Sequence, residues 1–146
     1  MNEHLSSLYA YTLPFHVAFF YALLACGVLY LLLTQLGSAS KNYVLRIRYF
    51  LPIYHMLLSF LVLTGLILWA YYSYEPKFNA IKMLLILIAL IALSAVGYKR
   101  LKRYAIAGEL EKFKKFALIK GICDIILIII AVSYTHLRAH ETGRNL

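Results

Sequence analysis

An all-α transmembrane bundle of four helices is the fold this sequence predicts, and three observations predict it. Hydrophobic residues make up 63% of the 146 and charged residues 14%, with a mean hydropathy of +0.76, whereas soluble domains run at about 45 to 50% and about 25%. The apolar residues gather in four runs, each near the ~20 residues that cross about 30 Å of hydrocarbon. Lys and Arg concentrate between alternate runs, the pattern that sets membrane topology. The same composition excludes a disordered chain. A secreted disulfide scaffold is excluded because the two cysteines, Cys26 and Cys123, both lie inside apolar runs, where they read as small buried residues.

The first span is expected over about 11–34, after a segment without Lys or Arg that does not fit a cleaved signal peptide. The second is expected over about 49–72 and the third over about 81–98, with Lys82 at its edge. None of the runs alternates apolar and polar residues with a period of two, so they are helices. The fourth is expected over about 116–131 and is short. Ala117 to Val132 gives only about 24 Å of helix at ~1.5 Å per residue, and it contains Lys120 and Asp124. The fourth helix is therefore expected to be truncated, closing a single four-pass domain over 1–131. Beyond it the composition changes abruptly, with only a delayed Gly143 as a stop signal. Val132 to Thr142 resembles the translation of a transposase-type sequencing adapter, so 132–146 are set aside as a non-native tail. On that reading His136 and His140, although spaced i,i+4 like metal ligands, carry no function.

The first loop carries Lys41, Arg46 and Arg48, and the third carries Lys99, Arg100, Lys102, Arg103, Lys112, Lys114 and Lys115, whereas the second carries Lys77. Positive short loops stay cytoplasmic, which predicts an inner-membrane protein with both termini outside. Tyr9, Tyr11, Phe15, Trp69, Tyr71, Tyr72 and Tyr74 fit an outer aromatic belt, and Tyr43, Tyr49, Tyr98 and Tyr104 an inner one. The net charge of +9 thus points to anionic lipid headgroups as partners, not to nucleic acid. The stretch 99–115 interleaves Leu101, Tyr104, Ile106, Leu110 and Phe113 with its basic residues and reads as an interfacial amphipathic segment. Small residues at Ala18, Ala22 and Cys26, and at Ala89, Ala92 and Ala95, predict close helix approach. A homo-oligomer is a further expected partnership.

Four ionisable residues lie at membrane depth: His16, His55, Lys82 and Asp124. Each costs on the order of 2.5 to 3.5 kcal/mol to insert, so each needs a partner or a function. His16 and Lys82 fall at the outer leaflet and His55 and Asp124 at the inner one, which places the two histidines roughly 18 Å apart along the normal. That separation argues against one haem ligated by both within a monomer. A carboxylate beside an imidazole fixes its tautomer, so His55 and Asp124 form a candidate proton or ligand pocket, with pairing of Asp124 to Lys120 one turn away as the plain structural alternative. No cluster of Cys, His and acid has metal-ligand spacing.

Phe15-His16-Val17, Lys82-Met83-Leu84 and the stretch Gly97-Tyr98-Lys99-Arg100-Leu101-Lys102-Arg103 resemble, over about 13–130, the small flavin-free protoporphyrinogen oxidase family of four-helix membrane proteins. The resemblance implies His16 and Lys82 as a catalytic pair and haem or porphyrin as cofactor; a bound haem would make His16 and His55 the first ligands to test. This chain has Phe78-Asn79 where that family places a histidine before its lysine, and Ser94 and Ala95 in place of a Tyr-His pair. Two functions are expected from these features. One is a redox or tetrapyrrole-handling membrane protein, and the other a non-catalytic membrane subunit or scaffold.

Overall fold

A computed structural model describes the backbone of residues 2–71 and 78–144, and all their side chains except those of 2, 5, 78, 79 and 134–144. Four helices follow one another: α1 (Asn2–Gln35), α2 (Tyr43–Tyr71), α3 (Phe78–Ala107) and α4 (Leu110–Arg144). Within them Ser6–Gln35, Tyr43–Tyr71, Ala80–Ala107 and Leu110–Ser133 are long and apolar enough to cross a membrane. The chain is a small polytopic membrane protein built as a four-helix bundle. The helices form a ring in which α1 touches α2 and α4, α3 touches α4, and α2 and α3 share the thinnest seam. Thus α1 faces α3, and α2 faces α4, only across the diagonals.

The helices outrun the apolar spans at most ends. Composition marks where hydrocarbon begins, but a helix continues until something stops it, and polar helix formers such as Lys, Arg and Glu do not. The stop signals are two glycines with φ of 70°, Gly37 and Gly108, a conformation that side chains with a Cβ rarely adopt. After α3 the Gly108 amide bonds the Ala105 carbonyl and the Glu109 amide bonds the Tyr104 carbonyl, the paired bonds of a Schellman cap. The Glu109 carbonyl then accepts from Lys112 and Phe113, opening α4. So the stretch 99–115, expected as an interfacial loop, is instead the tip of a helical hairpin with a two-residue link.

The apolar stretch of the fourth helix ends at Ser133, while its backbone stays helical to Arg144. The adapter resemblance and His136 and His140 concern side chains outside the described residues, as do Tyr72, Tyr74 and Lys77 of the second loop.

Packing follows stripes spaced three and four residues apart, as helix–helix seams require. On α4 the buried positions are Phe113, Ala117, Lys120, Gly121, Asp124, Ile128 and Ala131, and on α1 Thr12, His16, Leu23, Gly27, Tyr30 and Thr34. Polar groups therefore point inward while Ile119, Ile122, Ile126 and Ile129 face outward, as hydrocarbon surroundings favour. Three sequence expectations change here. Tyr43 is fully buried, its hydroxyl donating to the Thr34 carbonyl at 2.6 Å, because the bend after α1 folds it inward against the end of that helix. Cys123 is exposed and Cys26 half-buried, since neither lies on the inward stripe of its helix. Ala18, Ala92 and Ala95 also face outward. Close approach is made instead by glycines, because a Cβ on Gly121 of α4 would lie 2.3 Å from Leu31 Cδ2 of α1, and one on Gly97 of α3 would lie 2.8 Å from Lys120 Cε of α4.

Candidate functional site: a buried polar cluster across four helices

Three polar contacts cross the interior at two levels. Nearer the N-terminus, His16 Nδ1 of α1 lies 2.7 Å from Thr64 Oγ1 of α2. The same hydroxyl lies 2.8 Å from the Phe60 carbonyl, which can only accept. The single hydroxyl hydrogen of Thr64 therefore goes to Phe60, and His16 must donate from Nδ1. This fixes the tautomer and leaves Nε2 with its lone pair. The ring stands edge-on to Phe20, and Gly65 gives it room, since a Cβ there would come 3.5 Å from His16 Cε1.

Toward the opposite end, His55 Nε2 of α2 lies 2.7 Å from Ser94 Oγ of α3. Beside it Lys120 Nζ is bonded to Asp124 Oδ2 one turn along α4. The ammonium sits 4.5 Å from the ring centroid of Tyr30 on α1 and 5.6 Å from that of Tyr54 on α2, within cation–π reach of both. Its aliphatic stem lies against Gly97 of α3. One side chain thus touches all four helices. Lys120 is 3% exposed and Asp124 2%, so the pair is enclosed within a span.

The contacts redistribute the sequence candidates. His16 and Lys82 sit toward the same end, but their helices face each other across a diagonal and the His16 hydrogen bond goes to Thr64. His55 and Asp124 share a level without a direct bond: His55 turns to Ser94, Asp124 turns to Lys120, and the electrostatic link to His55 runs from Lys120. His16 is level with Thr64, which follows His55 by nine residues on α2, so the two imidazoles stand about 13 Å apart along the bundle at ~1.5 Å per residue. They do not fit the two faces of one haem within a monomer. Tyr30, Tyr54 and Gly97 escaped sequence reasoning, because a helix apolar on every face gives no stripe from which to read its inward side. Among the described residues no group of three or more His, Cys, Asp or Glu could hold a metal ion.

At the far end the two links meet. Ser38 Oγ after α1 donates to Glu111 Oε1 of α4, and Gln35 Nε2 donates to the Lys114 carbonyl. Arg46 Nη2 reaches back to the Leu36 carbonyl at 3.2 Å. This gathers Lys41, Arg46, Arg48 and the basic residues of 99–115 at one end. Compared with protein-family models, with curated proteins and with solved structures, the chain finds no match.

Proposed function

We propose that this protein is a non-catalytic membrane subunit or scaffold, whose intramembrane polar residues hold helices in register. One observation carries the reading: His16, His55 and Lys120 each spend their polar atoms or their charge on a neighbouring helix, at Thr64, at Ser94 and between the Tyr30 and Tyr54 rings. An interior so occupied locks a bundle and leaves its outward apolar faces for other membrane helices. The basic end supports a location in the inner membrane with both termini outside, and contact with anionic headgroups. Native gel electrophoresis of gently solubilised membranes tests the reading. The protein should migrate within a larger assembly, and Asp124→Leu should change that assembly; migration at the mass of a single chain in every mild detergent would overturn it.

The redox or tetrapyrrole reading is favoured by one specific feature, the His16 ring. Its Nδ1–H is anchored on Thr64 and, among the described residues, its Nε2 lone pair meets no hydrogen-bond donor, as in metal-ligating histidines. His16 would then act with an axial partner other than His55, and Lys82 would neighbour the site at the same end of the bundle. An absorption spectrum of the purified protein, before and after dithionite, separates the readings. A Soret band lost on His16→Ala favours the tetrapyrrole, and a flat spectrum after expression with ample haem favours the scaffold.

A further inference from the structure

Two buried polar atoms of the central cluster are left over when its contacts are assigned. Tyr54 Oη and Asp124 Oδ1 are both fully enclosed and, among the described residues, neither has a hydrogen-bond partner. Tyr54 is 3% exposed, so its hydroxyl cannot reach bulk water or lipid headgroups. An enclosed hydroxyl or carboxylate oxygen without a partner costs roughly 1 to 3 kcal/mol, and natural interiors satisfy such atoms, often with a buried water that has two or more polar partners. Here one atom can donate or accept and the other accepts, and the Lys120 ammonium is bonded to the second oxygen of the same carboxylate.

Holding helices in register does not account for the two leftover atoms. Well-packed apolar residues would serve a membrane interior as well as an enclosed ion pair, and Lys preceding an acid at i,i+4 is the less favourable order on a helix. The cluster also has one thinly packed side. The seam between α2 and α3 is the thinnest in the ring, and His55 stands in it, exposed on one side and bonded to Ser94 on the other.

We propose that Tyr54 and Asp124 hold a small hydroxylic guest, water, between them, and that with Lys120 they form a membrane-buried proton-exchange site reached through the α2–α3 seam at His55 and Ser94. This goes beyond the scaffold reading and does not depend on it. The exchange is balanced within the site. A proton on Lys120 Nζ passes to Asp124 Oδ2, turning ammonium and carboxylate into amine and carboxylic acid without altering net charge, and returns by the same path, while the guest water accepts the Tyr54 Oη hydrogen bond and donates one to Asp124 Oδ1, stabilising both forms without itself gaining or losing a proton. The titratable groups facing it are Tyr30 and Cys26 from α1, Tyr54 and His55 from α2, and Lys120 from α4 itself. From α3 come Ser94 and Gly97, which do not titrate.

Infrared difference spectroscopy of the full chain in lipid, between mildly acidic and alkaline buffer, tests this. The expected result is a carboxylic-acid carbonyl band that shifts in heavy water and disappears in Asp124→Asn. In Tyr54→Phe, which keeps the ring over Lys120 and removes only the hydroxyl, the band should move because its water-borne hydrogen bond is gone. Circular dichroism of both variants keeps a folding failure distinct from a lost site. If Asp124→Asn unfolds the bundle, the Tyr54→Phe shift alone decides. No such band in wild type, or a band unmoved in Tyr54→Phe, would overturn the proposal.

Discussion

The two levels of the bundle solve the same difficulty differently. Near the N-terminus a neutral imidazole meets a neutral hydroxyl, His16 with Thr64, and the contact joins two helices. Toward the basic end a full ion pair, Lys120 with Asp124, is enclosed among Tyr30, Tyr54 and Gly97, and the contact involves four. A neutral interhelical hydrogen bond in a membrane contributes about 0.6 kcal/mol on average. Removing one half of an enclosed ion pair costs about 3 to 5 kcal/mol, because the remaining charge has nowhere to go. The lower level should therefore govern whether the bundle holds together, and the upper level should adjust it.

Lys120→Met is the sharpest way to break this contrast. It leaves the Asp124 charge unpaired, and thermal unfolding in detergent should show a loss of about 3 to 5 kcal/mol. The double variant Lys120→Met with Asp124→Leu should recover most of that loss, and a double variant as unstable as the sum of the two singles would show that the pair is not the linchpin. Gly121→Leu comes next. Its Cβ falls 2.3 Å from Leu31 Cδ2, so α1 and α4 must part, costing about 1 to 3 kcal/mol by overpacking. Gly97→Ala presses on the end of a flexible lysine stem, and a milder loss of about 1 kcal/mol is expected in the same melt. The smallest effect belongs to the upper level, where Thr64→Val should cost about 0.6 kcal/mol and Thr64→Ser should restore it. An upper-level loss as large as that of Lys120→Met would reverse the comparison.

The spans were legible because hydrocarbon demands apolar length, and the four runs supply it. Their ends were less so. Nothing in the composition of 99–107 or 110–115 says whether a basic stretch is loop or helix, and the decisive residue, Gly108, acts through its backbone conformation. The i,i+4 spacing of Lys120 and Asp124 could be read directly, but their enclosure could not, because spacing alone does not say which face of a helix turns inward. A faint sign was present in the residues that are not aliphatic. Thr12, His16, Tyr30 and Thr34 on α1, and Lys120 and Asp124 on α4, recur at spacings built from threes and fours, marking the inward side by polarity where hydrophobicity could not.

Only Gly108 and Glu109 separate α3 from α4, and this brevity bears on how the buried charge is sheltered. A two-residue link forces the helices on either side to lie back to back, with seven Lys and Arg between Lys99 and Lys115 gathered at the tip. The charged pair of the last helix therefore has its shelter in its own chain neighbour: the lysine stem lies in the groove that Gly97 leaves on α3, and the first two helices have only to supply the aromatic rings around its head.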